Sequence, residues 1–126
     1  MDNETMPKRN LAFLLVPAAG NRSFNQVVIA AGAGKLEAGT VLGRITASDK
    51  FTAAPAGEVV GKEGAEVATA ILGYGVNATD ADVDAVVVDR DATVKLPMLS
   101  FDASVDDETK TDAKIAQLEA VGIRAR

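Results

Sequence analysis

The stretch Lys35-Leu36-Glu37-Ala38-Gly39-Thr40-Val41-Leu42-Gly43-Arg44-Ile45-Thr46 decides how the rest of the chain is read. Thr40 to Thr46 is an aliphatic and β-branched run of strand length, interrupted by a single glycine. Glycine inside a strand weakens it unless a bulge, a sharp bend or a close backbone approach requires a residue without Cβ. Gly43 is read here as a bend, so the segment predicts a short curved strand, not a helix and not a flat edge.

Outward from that strand, the same signals recur. Leu11 to Val16 is a short apolar, strand-like segment stopped by Pro17-Ala18-Ala19-Gly20-Asn21, because Pro17 donates nothing to a ladder and Gly20-Asn21 favours a turn. Val27-Val28-Ile29 is a second run, closed by Gly32 and Gly34. Ser48-Asp49-Lys50 reads as a turn and Phe51-Thr52 as the return strand. Ala53 to Gly64 reads as a loop kept irregular by Pro55, Gly57, Gly61 and Gly64. Val67 to Val76 is read as one long apolar strand containing Gly73 and Gly75. Val86-Val87-Val88 lies between Asp84 and Asp89, and Thr93 to Leu99 is read as the last strand. One helix is expected, from about Asp106 to Val121, capped by Ser104 or Asp106 and supported at its positive end by Asp106, Asp107 and Glu108. Gly122 fits the left-handed position after it, with Ile123 turned back toward Leu118. Ile115, Leu118 and Ile123 form its apolar stripe. Residues 1–10 are polar and aperiodic, which predicts a disordered arm ahead of one domain over residues 11–126. The fold class is mainly β (α+β).

With 126 residues, the chain has the size of one small domain. Its apolar share of 48 % is ordinary, yet its aromatic residues are only Phe13, Phe24, Phe51, Tyr74 and Phe101, so Ala and Val must supply most of a thin core. The chain contains no His and no Cys, which rules out Ser/His/Asp and Cys/His catalysis, Cys/His zinc sites and disulfides within it. A net charge of -5 argues against nucleic acid and anionic membranes as partners. That charge is uneven: residues 1–60 sum to +1 and residues 61–126 to -6. The acidic half reads as a solvated face, while Lys8, Arg9 and Arg22 suit an acidic surface. No apolar run approaches the ~20 residues of a membrane span, and the apolar run before Pro17 is too short for a secretory signal.

Motifs that carry chemistry fail on inspection. Asp80, Asp82, Asp84 and Asp91 have the spacing of a calcium loop, but Ala85 stands where a sharp turn needs Gly and Val86 to Val88 belong to a strand. Gly34-Lys35 lacks the Ser or Thr and the first Gly of a phosphate loop, and no Gly-x-Ser-x-Gly elbow occurs. The expectation is therefore no catalytic residue, no cofactor and no metal site. A stand-alone ligand-binding β-module with a shallow Gly-rich pocket is the alternative, and an Asp84/Lys95 enzyme comes third. Tyr74, flanked by Gly73 and Gly75, reads either as part of a bent core strand or as a contact between subunits.

The Lys35 to Thr46 stretch resembles the head decoration proteins of tailed bacteriophages, the lambda-type capsid-stabilising family. Phe51, Ala70-Ile71-Leu72-Gly73-Tyr74-Gly75-Val76-Asn77-Ala78-Thr79, Val86-Val87-Val88-Asp89-Arg90-Asp91-Ala92-Thr93-Val94 and Leu118-Glu119-Ala120-Val121-Gly122-Ile123 follow in that family's order. Val16 to Phe24 departs from the family, whose members often carry an acidic residue before a Gly and a Ser-Arg pair after it. The resemblance implies a small β-clip or tulip-like domain of short bent strands with one C-terminal helix. It implies a homotrimer on the outer surface of the virion capsid, made in the bacterial host cytoplasm, whose partner is the major capsid protein. It also implies an N-terminal arm that orders on the shell, which makes Leu11, Phe13, Leu15 and Val16 the candidate docking residues and Tyr74 the candidate trimer contact.

Overall fold

Val41-Leu42, Ala70-Ile71-Leu72 and Val87-Val88 are runs of consecutive apolar residues with no polar residue between them. Side chains alternate across a strand, so such runs fit a sheet buried on both faces. The computed structural model describes residues 14–16, 24–90 and 92–125 and arranges these runs in that way. In chain order the elements are β1 (Leu14–Val16), β2 (Phe24–Ile29), β3 (Gly34–Leu36), β4 (Val41–Arg44), β5 (Phe51–Ala53), β6 (Ala68–Leu72), β7 (Val76–Ala78), β8 (Val83–Val88), β9 (Ala92–Val94), α1 (Glu108–Ala120) and β10 (Ile123–Ala125).

Five strands close a barrel in the order β2-β5-β4-β6-β8. β2 and β8 are antiparallel over six pairs, from Phe24 opposite Val88 to Ile29 opposite Val83. Ile29 opposite Phe51 closes the ring by a parallel contact. One buried cluster, including Ile29, Leu42, Leu72, Ala85 and Val87 with Phe51 against it, draws on all five strands and fills the space they enclose. The intervening residues Val41, Ile71 and Val88 face the other way and join Val94, Leu99, Leu118 and Ile123 in a second cluster. That second cluster binds α1 and the three-stranded sheet β1-β9-β10 to the barrel wall. β3 and β7 form a separate ribbon, Leu36 opposite Val76, packed on the interior cluster.

The bend expected at Gly43 is a close backbone approach. Gly43 lies opposite Ala68 while Leu42 lies opposite Ala70, so Thr69 is an extra residue on β6. This bulge reverses the alternation, sending Ala68 to the second cluster while Ala70 stays in the first. Beside it, a Cβ on Gly43 would overlap the backbone carbonyl of Ala65. The expected long strand from Val67 to Val76 is two strands, β6 and β7, in different sheets. Gly73-Tyr74-Gly75 separates them, and the apolar run hid the break because β6 is buried on both faces and shows no alternation that would end before Gly73. The expected last strand, Thr93 to Leu99, stops at Val94, because Pro97 opens a short 3-10 turn at Leu96–Met98. β10 follows the helix and was not anticipated.

Adding one methyl at Gly43 should therefore destabilise the fold by about 3 kcal/mol or more, the upper range for overpacking. Gly57 has open space around it and no positive φ, so Gly57→Ala should change stability by less than ~0.5 kcal/mol. Chemical denaturation of the two variants checks both values.

Candidate functional site

Barrel strands have partners on both sides, whereas the three-stranded sheet ends on β1 and β10. β1 enters this sheet antiparallel to β9, with Leu14 opposite Val94 and Val16 opposite Thr93. Two steps along β1 thus match one along β9, so Leu15 is an extra residue and the strand is irregular where it enters the domain. β10 pairs with the opposite side of β9 in parallel, Ile123 to Ala92 and Ala125 to Val94. Leu15 and Val16 therefore lie on an edge strand, with main-chain groups on one side directed away from β9. Leu11 and Phe13 lie outside the described residues.

Helix α1 locks this sheet to the barrel. Asp107, not Ser104 or Asp106, is its N-cap and accepts a hydrogen bond from the Lys110 amide at 2.8 Å. Asp106 instead pairs with Lys110 Nζ at 2.8 Å, which holds the Asp106 carboxyl below its usual value and the Lys110 ammonium above its own. Gly122 has φ +87°, and its amide donates to the Glu119 carbonyl at 3.0 Å, the expected left-handed exit. Leu118 and Ile123 are fully buried. The third residue of the expected stripe, Ile115, is only half-buried, and its neighbour Lys114 is 1 % exposed.

Hydrogen bonding explains that inversion. Lys114 Nζ donates to the backbone carbonyl of Glu66 and approaches Gln117 Oε1 at 3.4 Å. Gln117 Oε1 also accepts from the Ala68 amide at 2.7 Å. Two side chains one helical turn apart thus satisfy backbone groups just before and at the start of β6, where the Gly43 contact and the Thr69 bulge leave the ladder irregular. A lysine at an apolar periodic position carries no sequence signal for this role.

Among the remaining sequence candidates, Asp82 serves structure. Asp82 accepts from the Ala31 amide at 2.8 Å and from Lys50 Nζ at 2.6 Å, the bonds that hold its carboxyl below its usual value. It ties the turn after β2 to the segment before β5. Among the described residues, no group of three or more acidic side chains is placed to hold a metal ion, and Asp91 lies outside them. Asp84 is opposite Val28 in the barrel, while Lys95 follows β9 in the other sheet. Tyr74 is 41 % exposed on the Gly73–Gly75 turn, which removes it from the core and leaves it free for contact. No helix among the described residues is long and apolar enough to cross a membrane.

Burial holds the Lys114 ammonium below the lysine value of 10.5, against the opposing pull of Glu66 and Asp102. Between the depressed folded value and 10.5, the unfolded chain binds more protons at this site than the folded one. Folding stability should therefore rise with pH through that alkaline window, and Lys114→Met should lack that contribution. Comparing denaturation midpoints of the two proteins from neutral to alkaline pH checks the sign. In comparisons with known proteins, a family model described as bacteriophage lambda head decoration protein D matches residues 3–123. No curated protein matches the chain.

Proposed function

The chain belongs to the bacteriophage lambda head decoration protein D family, and from that premise we propose that it is a cement for phage heads. It binds the outer surface of the expanded capsid as trimers at threefold positions and strengthens the shell against the pressure of packaged DNA. The observation that carries this reading is the family match over residues 3–123, which takes in the barrel, β1, β9 and the helix together.

The chemistry of the chain supports it. A sequence without His or Cys is poor in groups for turnover, and a cement needs only surfaces held in place. The partner in this reading is the major capsid protein, and the docking element is the segment Leu11, Phe13, Leu15 and Val16, with residues 1–10 as an arm ahead of it. The edge position of β1 favours this assignment. A chain that joins a partner's sheet by strand addition gains main-chain hydrogen bonds, and alternate side chains supply specificity. Ordering such an arm costs about 1–2 kcal/mol per residue, which keeps a single contact modest. Identical sites repeated over a shell, engaged by linked copies, convert modest contacts into firm attachment.

Removing residues 1–13 leaves β1 whole and tests the docking segment without removing a strand that pairs with β9. The shortened protein should melt within ~2 °C of the full chain, since no named folding mechanism is touched, and should fail to co-sediment with expanded empty heads. Full loading of the shortened protein on those heads contradicts the assignment.

A further inference from the structure

The seams of the barrel are unequal. Among the described residues, β2 and β8 are joined over six register pairs, β4 pairs with β5 and with β6 over three each, and β6 and β8 over two. β2 and β5 meet only where Ile29 stands opposite Phe51. Parallel neighbours pair slightly less stably per residue than antiparallel ones, so this seam is weak in kind as well as in length. Just beyond β2, the Ala30 amide donates to the Phe51 carbonyl at 2.9 Å. Ile29, fully buried, and Phe51, half-buried, belong to the interior packing beneath it. A ring of strands opens most readily where the fewest bonds must break, and such a local opening costs less than global unfolding.

The Asp82 carboxylate, from the turn between β7 and β8, spans this seam. Its Oδ1 accepts from the Ala31 amide at 2.8 Å and its Oδ2 from Lys50 Nζ at 2.6 Å. Ala31 leaves β2 and Lys50 leads into β5, so the two oxygens hold the two sides. Each side is fixed in turn. The Gly32 amide donates to the Ala78 carbonyl at 2.7 Å, which ties the turn after β2 to β7, and the Ile45 amide donates to the Lys50 carbonyl at 2.8 Å, which ties Lys50 to the residue after β4. An isolated exposed ion pair contributes little. Here the carboxylate also takes a backbone amide, both bonds are charge-assisted, and the ladder they reinforce has a single register pair.

We propose that Asp82 is the latch of the β2–β5 seam. While its two oxygens hold Ala31 and Lys50, the ring stays closed. When they let go, the seam opens locally and the antiparallel ladders β2–β8, β4–β5 and β4–β6 remain paired. Such an opening leaves one edge of β2 and one of β5 without a partner, the kind of edge that folded proteins keep covered. The latch thus keeps the barrel a continuous ring that presents no strand edge to other chains.

Hydrogen exchange of individual amides in the full chain, followed by NMR at neutral pH and increasing low concentrations of denaturant, tests it. The Ala30 amide reports the seam, and the Leu72 and Gly73 amides, which donate to the Thr40 and Val86 carbonyls, report the rest of the barrel. In the wild type, Ala30 should exchange about tenfold or more faster than Leu72 and Gly73 and with little dependence on denaturant, as a local opening does. Asp82→Asn should speed exchange at Ala30 by about a further tenfold or more, as expected when hydrogen bonds to a charged group are lost. Lys50→Gln, which keeps the Ala31 bond, should speed it by a smaller factor, and it decides the matter if Asp82→Asn does not fold. Exchange at Ala30 that coincides with Leu72 and Gly73 at every denaturant concentration means that the seam opens only on global unfolding, and it overturns the proposal. A wild-type rate at Ala30 in either variant overturns it as well, because the opening then leaves the Asp82 contacts untouched.

Discussion

A sheet wall with apolar packing on both sides governs this molecule. In β4, β6 and β8, Leu42, Leu72 and Val87 face the barrel interior while Val41, Ile71 and Val88 face the helix and the edge sheet. Neither face of that wall is wet, so a polar side chain there would lose water on either side, at a cost of about 1–3 kcal/mol if unbonded. The wall must also be thin, because a chain of 126 residues with five aromatics has little bulk to place on two faces. Alanines at 68, 70 and 85 and glycine at 43 let the layers approach. The Thr69 bulge follows from the same crowding. Where Ala65 crosses over Gly43, the β4–β6 ladder shifts by one residue, and α1 supplies the hydrogen bonds that the ladder does not.

The helix and the three-stranded sheet hang on the outer face of that wall. Val94, Leu118 and Ile123 bury themselves against it, and they bring β9, α1 and β10 with them. β1 then has a fixed strand to pair with, so the N-terminal segment enters the domain along a defined edge. On the same side, Lys114 and Gln117 reach from α1 to the base of the 54–67 loop. The edge and the loop are consequently both anchored through one helix. In the proposed role as a cement, load has to pass between contacts, and a connection through one helix suits that task better than a hinge.

The sequence disclosed the strands wherever one local rule was enough. Val27-Val28-Ile29, the Ser48-Asp49-Lys50 turn and the Phe51 return strand needed only β-branching and turn residues, and Asp49 indeed takes φ +60°. The helix and its Gly122 exit were legible for the same reason. Failures occurred where tertiary packing decided. Val67 to Val76 reads as one mostly apolar run although it spans two strands of different sheets, because β6 is buried on both faces and its alternation vanishes. Lys114 takes the buried place on the helix that Ile115 was expected to fill, and its carbonyl partner lies 48 residues away. β10 is too short to announce itself and exists because the chain leaving Gly122 meets β9. For the candidate site, the order of motifs indicated the family, but the edge position of β1 and the pinned loop emerged only from the fold.

Electron cryomicroscopy of expanded empty heads, imaged bare and after incubation with the protein, tests the central claim most directly. The account predicts added density outside the shell at threefold positions, into which the barrel and α1 fit, with the segment ahead of β1 running into the capsid protein as an extra strand. Heads that remain bare at saturating protein would contradict it, as would density confined to the inner surface.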